Sequence, residues 1–481
     1  MVIVGFSGAL NSQYYIDKYK IRFVGHDSSV SILVDGKLAF AAEEERFNLD
    51  KHTAAIPYNA LSEGLAFCNL KWEDIDCFVF PWSSKKLELL LTGFNHLIRT
   101  PIKYLPKTAY AGISVLNDAM SSKKAVKEME RLFHKKTNAK IANVDHHIAH
   151  VASSFLSSTF KEAAFLSIDG SGGFLSAMSG EWKNGTIKQF SAIKSPNSIG
   201  ILYGIFTEFL GYRCGYDEYK VMGMAAYGNP NEYLDKVQSL LIDTDEGFST
   251  KFTESILNLP YCIKKLEQHF GIQQRKPTEK LTSIHFNVAA SIQSALEVQL
   301  LKMVIRLKEK TSCKNLCLSG GVFQNSMANG RILDSNLFEK VFIPPVPGDN
   351  GISLGAALYY SSQINQEKID IKPIVLGFSG TEYTGASYLN ELKKFEDQII
   401  FNKSDDIVEE AANLLASNKV VAWFQGRMEY GARALGNRSI LASPINQGMK
   451  DTLNISIKNR EKYRPFAASI PKECASEYFD I

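Results

Sequence analysis

The alternation of hydrophobic and polar residues predicts paired β-strands in two separate parts of the chain. Residues 23–47 hold two β-rich runs joined by Asp35-Gly36, a dipeptide that strongly favours a hairpin turn. Residues 163–190 repeat the scheme, with an apolar strand, a turn at Asp169-Gly170, a second strand and a further turn at Asn184-Gly185. Two interpretations stay open: a duplicated strand–turn–strand unit, with one copy in each half of a larger domain, or two unrelated hairpins.

A helical period of apolar residues predicts helices around these strands. Residues 57–69 and 84–98 have amphipathic spacing, and residues 121–134 form a basic helix that faces solvent. A longer helix is predicted over residues 283–308, where apolar side chains recur at helical spacing. Residues 215–228 are rich in glycine and aromatic residues, so we expect a tight loop there that leads into a turn of small residues.

Turns that suit anions are predicted at two places. Gly25-His26-Asp27-Ser28-Ser29 puts small hydroxyl residues after a glycine, and the backbone N–H groups of such a turn can hold an anion. Ser319-Gly320-Gly321-Val322 lies between a strand at residues 315–318 and a helix predicted over residues 323–334, an order that suits a nucleotide. Lys220 is a further candidate contact to phosphate or substrate; a solvated lysine is the alternative.

Length and composition describe an ordinary globular protein of more than one domain. The chain has 481 residues, of which 45% are hydrophobic and 22% charged, and its formal net charge is +3. This charge is too small to indicate nucleic acid or an anionic membrane as a partner, and we find no apolar run long enough to span a bilayer. Residues 362–385 are predicted to link two domains. The seven cysteines are scattered without a Cys-x-x-Cys pair, which predicts reduced thiols in a cytoplasmic protein.

Four residues are candidates to bind a metal ion. His146 and His150 are four residues apart, so on a helix they share one face, which lets one helix give two imidazoles to a metal. Asp169 closes an apolar strand and Asp349 follows another, and a carboxylate at a strand end beside glycines is a common metal or phosphate site. The alternative is a partly exposed histidine cluster on a surface helix.

Cations are concentrated near the end of the chain. Residues 426–439 carry three arginines among small residues, and residues 457–466 add further lysines and arginines before Pro465-Phe466. Arginines in such a pattern suit bidentate binding of phosphate and carboxylate-like groups. The alternative is a basic surface with ordinary ion pairs.

A series of short motifs occurs along the chain in a fixed order. They are His26-Asp27-Ser28, Glu44-Glu45-Arg46-Phe47, Lys51-His52, Asp145-His146-His147 through His150, Ile168-Asp169-Gly170, Lys220-Val221-Met222-Gly223, Ser319-Gly320-Gly321-Val322, Pro347-Gly348-Asp349-Asn350-Gly351, Phe424-Gln425-Gly426-Arg427-Met428-Glu429, Arg433-Ala434-Leu435-Gly436-Asn437-Arg438-Ser439 and Arg464-Pro465-Phe466-Ala467. In this conjunction the sequence resembles the O-carbamoyltransferases, including those of the nodulation-factor, cephamycin and nebramycin types.

The resemblance implies an α/β protein of two domains. Residues 1–365 would form a duplicated domain of the actin/Hsp70/sugar-kinase type, which is ribonuclease H-like and would account for the repeated hairpin. Residues 386–481 would form an α/β YrdC-like domain. A compact domain of typical size has roughly 150 residues, whereas about 100 follow the linker here, so we expect this second domain to be incomplete and truncated in the sequence.

The resemblance also implies a reaction. Family members convert carbamoyl phosphate and ATP to carbamoyl-adenylate in the YrdC-like domain, and they transfer the carbamoyl group to a hydroxyl of a small-molecule natural product in the first domain. A divalent metal, Fe²⁺ in the family, is bound there, and Mg²⁺ is a further candidate. The expected partners are the hydroxylated acceptor and a second copy of the chain in a homodimer, with neither nucleic acid nor membrane.

Site residues follow from the resemblance by position. The metal ligands would be His146, His150, Asp169 and Asp349. His26 would act as the general base on the acceptor hydroxyl, a task that suits an imidazole near neutral pH, and Asp27 would orient it. The nucleotide would contact Gly170, Lys220, Gly320, Gly321 and Asn325. Carbamoyl phosphate would contact Arg433, Arg438, Lys458 and Arg464.

Two other functions stay open. One is a truncated family member that binds nucleotide and metal without complete turnover. The other is an enzyme of the related threonylcarbamoyl-transfer type, with the same fold and metal. The arginine-rich second domain on the same chain argues against this last alternative. Two imidazoles and two carboxylates suit iron, manganese and zinc about equally, so the residues themselves do not select the metal.

Overall fold

A computed structural model describes residues 1–10, 26–82, 121–252, 259–365 and 376–480 of the chain. The chain divides into two compact units, the first comprising Met1–Gly380 with Tyr430–Ala432 and the second comprising Thr381–Glu429 with Arg433–Ile481. The helix predicted over residues 84–98 lies outside the described residues. Each unit is described separately below.

The first unit contains two five-stranded sheets built to one plan. The strands of the first sheet are β1 (Val2–Ser7), β2 (Ser29–Val34), β3 (Lys37–Glu43), β4 (Cys77–Phe80) and β5 (Lys140–Asn143). Their order is β3-β2-β1-β4-β5. The pairs β1–β2 and β2–β3 are antiparallel, whereas β1–β4 and β4–β5 are parallel.

The second sheet repeats this order and these directions. Its strands are β6 (Ala163–Gly172), β7 (Leu175–Lys183), β8 (Thr186–Lys194), β11 (Asn315–Ser319) and β12 (Lys340–Phe342), and a separate hairpin consists of β9 (Leu241–Thr244) and β10 (Gly247–Thr250). The order is β12-β11-β6-β7-β8, with β6–β7 and β7–β8 antiparallel and β6–β11 and β11–β12 parallel. The predicted duplication is therefore confirmed, and the unit has the duplicated ribonuclease H-like α/β fold of the actin/Hsp70/sugar-kinase type.

Helices cover and separate these sheets. They are α1 (Glu45–Asn48), α2 (Tyr58–Phe67), α3 (Ser122–Leu132), α4 (His146–Phe155), α5 (Ile199–Phe209), α6 (Glu218–Ala225), α7 (Leu234–Gln238), α8 (Leu259–Phe270), α9 (Ser283–Lys310), α10 (Ser326–Asp334) and α11 (Ile352–Asn365). The helices predicted at residues 57–69, 121–134 and 283–308 are confirmed as α2, α3 and α9.

Helices α4 and α11 lie between the two sheets. α11 packs on β1, β2 and β4, α4 packs on β6, β7 and β11, and the two helices pack against each other. The helices come very close because a glycine faces the contact: a Cβ added at Gly355 would lie 1.8 Å from the backbone oxygen of Ala149. The hydrophobic core continues from one sheet, through these helices, to the other. α4, which carries the histidine motif, is thereby fixed at the centre of the unit.

Three local predictions are wrong. Asp169-Gly170 is not a turn, since β6 continues through a register shift to Gly172, and the chain turns at Gly173, whose φ is +67°. The expected loop over residues 215–228 contains α6, which packs on α9. The helix after the glycine turn begins at Ser326, because a 3-10 turn comes first.

The apolar helix α9 corrects the expectation about membrane-length segments. By length and composition alone it could cross a membrane, and it is the single such helix among the described residues. Of its 18-residue apolar window, 67% is buried inside the fold. It packs against α5, α6, α7 and α10, as a core helix does.

The second unit is smaller and buries few large side chains. Its elements are α12 (Gly385–Lys393), α13 (Ile407–Ala416), β13 (Val421–Phe424), β14 (Arg438–Leu441), α14 (Met449–Asp451) and α15 (Ala475–Tyr478). β13 and β14 pair antiparallel as a two-stranded sheet. Of its hydrophobic side chains, those of Ala411, Met449, Leu453 and Ala475 are buried.

Candidate metal centre

The four candidate metal ligands come from three elements that meet in the first unit. Asp145 caps α4, its side chain accepting a hydrogen bond from the backbone N–H of Ile148, so the helix begins directly at His146. Asp169 lies near the carboxyl end of β6, and Asp349 lies in the segment that leads into α11. All four side chains are at most 9% exposed.

The ligand atoms of these residues point at one another. The Nε2 atom of His146 is 3.2 Å from Oδ2 of Asp169 and 3.6 Å from Oδ1 of Asp349. The Nε2 atom of His150 is 3.8 Å and 3.3 Å from the same two oxygens, and it is 3.1 Å from Nε2 of His146. One ligand atom from each residue therefore lies within 4.8 Å of the others.

The cluster fits a divalent transition metal. Donor atoms bound about 2.1 Å from one ion are separated from each other by roughly 3 to 3.5 Å, close to the spacing seen here. Oδ1 of Asp349 is buried and accepts no hydrogen bond from the residues that the structure describes. Two imidazoles and two carboxylates are a mixed donor set that iron, manganese and zinc accept. These residues would hold the ion, and the ligand assignment remains a proposal.

Charge complementarity links the two kinds of ligand. Burial disfavours the charged form of His150, but the nearby carboxylates of Asp169 and Asp349 outweigh it and raise the pKa of His150 to about 9. Burial also disfavours the carboxylate of Asp169, but the hydrogen bond to His146 and the proximity of His150 hold its pKa well below the ordinary value. The carboxylates therefore favour a cation at this position.

His147 points away from the cluster, as its position between the two ligands predicts. Its Nδ1 atom is 2.9 Å from the hydroxyl of Ser167 on β6. Burial, together with the charges of the neighbouring histidines, lowers the pKa of His147 to about 4. His147 is therefore neutral at neutral pH and helps to hold α4 against the sheet.

His26 and Asp27 lie beside the cluster. Nε2 of His26 is 3.8 Å from Oδ2 of Asp349, and its Nδ1 donates to Oδ2 of Asp27 over 2.8 Å. The side chain of His26 is 31% exposed, so a ligand can reach it from solvent. The structure thus brings the candidate base next to a candidate metal ligand.

Negative charge controls the protonation of His26. Burial lowers its pKa, but the charge of Asp27 and the hydrogen bond to it, followed by the charges of Asp349 and Asp169, raise the pKa to about 10. A cation held by Asp169 and Asp349 would offset part of this charge. It would lower the pKa of His26 toward the range in which a general base works.

Gly172 makes room for the first histidine ligand. A Cβ at this position would lie 2.0 Å from Cδ2 of His146, so a side chain here must displace the imidazole. We expect Gly172→Ala to lower the affinity for Zn²⁺ or Co²⁺ by about tenfold or more, measured by titration calorimetry. Gly170→Ala is the matched control, since its Cβ meets nothing within 4 Å and metal affinity should stay unchanged. Equal affinities in the two variants would contradict this account.

The structure places only some of the candidate nucleotide-binding residues next to the metal-ligand cluster. The backbone N–H of Gly321 donates to Oδ1 of Asp169 over 3.1 Å, so the Gly320-Gly321 turn adjoins the metal ligands. Asn325 caps α10 and its amide exchanges two hydrogen bonds with Gln293. Lys220, on α6, pairs with Asp217 over 3.0 Å. The nucleotide-binding roles of all these residues, and of Gly170, remain predictions.

The candidate carbamoyl-phosphate residues all belong to the second unit. Arg433 and Lys458 are exposed, whereas Arg464 is partly buried. Arg438 stacks 3.6 Å over the ring of Phe424 and donates to the backbone oxygen of Gln425, so part of its binding capacity is already used. Their roles in binding carbamoyl phosphate are not tested by this geometry and stay predictions.

Several residues near these sites were not singled out from the sequence. The buried carboxylate of Glu429 accepts backbone N–H groups of Leu435, Asn437 and Arg438 and so shapes the arginine loop. The ring of Trp82 lies 4.4 Å from that of His146, and His52 contacts Asp27. Glu429 and His52 lie in motifs quoted above, but nothing in their spacing revealed these contacts.

Comparison with known families decides the assignment. Residues 19–358 match the family described as Carbamoyltransferase N-terminus. This match spans more than half of the chain. The chain belongs to the carbamoyltransferase family. Residues 412–481 match the family described as Carbamoyltransferase C-terminus. The chain is thus an enzyme of the carbamoyltransferase class, and the resemblance seen in the motifs is confirmed.

Individual relatives agree with this family assignment. The chain is 31% identical to the nodulation protein NolNO of Sinorhizobium fredii over 100% of its own length and 68% of the relative's. It is 36% identical to the nodulation protein NolO of Bradyrhizobium diazoefficiens over 70% of its own length and 60% of the relative's. An uncharacterized protein of Synechocystis sp. is 33% identical over 95% of this chain and 76% of that protein.

Proposed function

We propose that this carbamoyltransferase converts carbamoyl phosphate, ATP and water to carbamoyl-adenylate, phosphate and diphosphate, and transfers the carbamoyl group to a hydroxyl of a small-molecule natural product. The observation that carries the proposal is the position of His26, whose Nε2 atom lies 3.8 Å from Oδ2 of Asp349 at the edge of the buried His₂Asp₂ cluster. A base next to a cationic centre suits deprotonation of a hydroxyl beside an electrophilic carbonyl.

His26 acts as the general base of the transfer step. Its Nδ1–H is held by Asp27, which leaves Nε2 to take the proton of the acceptor hydroxyl. The acceptor oxygen then forms a bond to the carbamoyl carbon, and the bond from that carbon to the adenylate oxygen breaks, so AMP leaves. His146, His150, Asp169 and Asp349 hold a divalent metal, Fe²⁺ by family resemblance. When bound, the metal supplies Lewis-acid polarisation of the carbamoyl-adenylate.

Nucleotide and carbamoyl phosphate are bound by different parts of the chain in this proposal. Backbone N–H groups of the Gly320-Gly321 turn, with Gly170, Lys220 and Asn325, contact the nucleotide. Arg433, Arg438, Lys458 and Arg464 bind carbamoyl phosphate and stabilise the charge of the departing phosphate. Mg²⁺ accompanies ATP. The acceptor belongs to the chemistry of antibiotics, toxins or related signals, and the enzyme works in the cytoplasm as a homodimer.

A mass-spectrometric assay tests this function. The full chain is incubated anaerobically with Fe²⁺, Mg²⁺, ATP, carbamoyl phosphate and a panel of hydroxylated probes, namely chitin oligosaccharides and aminoglycosides. We expect the mass of one carbamoyl group on an acceptor, together with AMP and diphosphate that form only when carbamoyl phosphate is present.

Controls separate transfer from binding. Omitting carbamoyl phosphate, and replacing the reactive acceptor by its deoxy analogue, should each abolish the mass gain. Binding of ATP and metal without AMP formation or any acceptor product would overturn the proposal in favour of a binding protein. A product that requires threonine and a tRNA would overturn it in favour of threonylcarbamoyl transfer.

A further inference from the structure

Asp27 is bound by two histidines at once. Its Oδ2 atom accepts the Nδ1–H of His26 over 2.8 Å, and its Oδ1 atom accepts the Nδ1–H of His52 over 2.7 Å. Both bonds join a ring nitrogen to an ionised carboxylate, which makes them stronger than neutral hydrogen bonds. The three side chains therefore form one chain of contacts that ends at the candidate base.

The backbone at both ends of the second bond is strained. Asp27 has a φ of +53° and His52 a φ of +57°, values that residues with a Cβ adopt at a cost. His52 is held in place by further contacts: its backbone N–H donates to Oε2 of Glu45 over 2.8 Å, and its ring meets that of Tyr216 edge-on at 5.3 Å. The surrounding fold thus maintains this conformation of His52.

The geometry gives His52 a defined effect on Asp27. A carboxylate that is hydrogen-bonded to one histidine can rotate about its Cβ–Cγ bond. Such rotation misaligns the hydrogen bond to that histidine. With His52 on Oδ1, rotation would break a second hydrogen bond, so Oδ2 stays aimed at Nδ1 of His26. This keeps the proton of neutral His26 on Nδ1 and leaves Nε2 as the acceptor atom on the side of Asp349.

We propose that His52 is a positioning residue that orients His26 through Asp27. The expected effect on turnover rests on the proposed function. The expected effect on the orientation and tautomer of His26 does not depend on it. A second metal ion is the rival interpretation, since ligand atoms of Asp27, Glu45 and His52 also lie within 4.8 Å of one another. Both oxygens of Asp27 are already in hydrogen bonds, which favours positioning.

A double-mutant cycle tests the route through Asp27. His52→Ala is expected to lower kcat on the order of 10²-fold, as misplacement of a catalytic group does, with KM for ATP and carbamoyl phosphate unchanged. Asp27→Ala is expected to lower kcat at least as much. In the double variant Asp27→Ala/His52→Ala, loss of His52 should cost nothing further, because its partner is already absent.

A conservative variant separates positioning from a structural role. His52→Asn places an amide N–H where Nδ1 stands, and asparagine tolerates positive φ better than most residues. It is expected to recover most of the kcat that His52→Ala loses. Metal content of His52→Ala, measured by plasma mass spectrometry, should equal that of the unchanged chain; loss of one metal equivalent would overturn the proposal in favour of the rival metal site.

The tautomer can be measured even without turnover. In Zn²⁺-loaded chain labelled with ¹⁵N-histidine, at a pH where His26 is neutral, long-range ¹H–¹⁵N spectra distinguish Nδ1–H from Nε2–H, and His26→Asn identifies the signal of His26. We expect the Nδ1–H form in the unchanged chain and in His52→Asn, and a mixture in His52→Ala. If the tautomer behaves so but no acceptor reacts, the proposed function fails while the positioning role stands. An unchanged tautomer in His52→Ala would overturn the positioning role. So would a loss of kcat on His52→Ala that is equally large in the unchanged chain and in the Asp27→Ala variant.

Discussion

His150→Asn is expected to reduce the affinity of the protein for divalent transition metals by at least about 100-fold and to abolish carbamoyl transfer. Loss of a residue that only supports a ligand already costs about 10- to 100-fold, so loss of a ligand should cost no less. Nε2 of His150 lies 3.3 Å from Asp349 and 3.1 Å from Nε2 of His146, so its removal leaves one side of the cluster without a donor. Calorimetric titration with Zn²⁺ or Co²⁺ measures the change.

His147→Asn is the matched control for this prediction. His147 lies on the same helix, is buried to the same degree, and binds Ser167 through Nδ1, a position that an asparagine amide can replace. We expect metal affinity close to that of the unchanged chain. Thermal unfolding of both variants reports whether α4 stays packed. If His150→Asn folds and binds metal normally, His150 is not a ligand.

His26→Asn is expected to lower the rate of transfer by about 10²- to 10⁴-fold, the range for loss of a general base, while metal content stays unchanged. The asparagine amide can still donate to Asp27, so the local structure is preserved, but it cannot accept a proton at the position of Nε2. The measurements are acceptor carbamoylation under saturating co-substrates and the amount of metal bound to the purified variant.

Two results would contradict the role of His26. Loss of metal in His26→Asn would make it a ligand or a support for Asp349, from which it is 3.8 Å away. Transfer at the normal rate with normal metal would assign the base to another group. Formation of diphosphate from ATP in the presence of carbamoyl phosphate should persist in this variant, since no step before transfer uses His26.

Local sequence predicted those parts of the candidate site that neighbouring residues determine. His146 and His150 share a helix face because four residues make about one turn. Asp145 caps the N-terminus of α4, so the helix begins directly after it. The hairpin at Asp35-Gly36 follows from turn chemistry in the same way. Each of these depends on a few adjacent positions.

Predictions failed where packing outweighed local preference. Gly223 lowers the helix propensity of this segment, yet α6 forms because it packs on α9. Asp169-Gly170 has the composition of a turn, yet the pairing of β6 with β7 extends the strand to Gly172. Contact with His52 likewise depends on a loop that folds back to Asp27, and the sequence carries no local signal for it.

The sequence by itself determined the hairpins, the main helices, the histidine spacing and, through its motifs, membership of the carbamoyltransferase family. The tertiary structure decided which of these residues meet. Asp169 and Asp349 approach the histidines because strand order brings β6 and the segment before α11 to the same end of the central helices. Contacts between residues distant in sequence depend on this order and on helix packing, which hydrophobic periodicity does not encode.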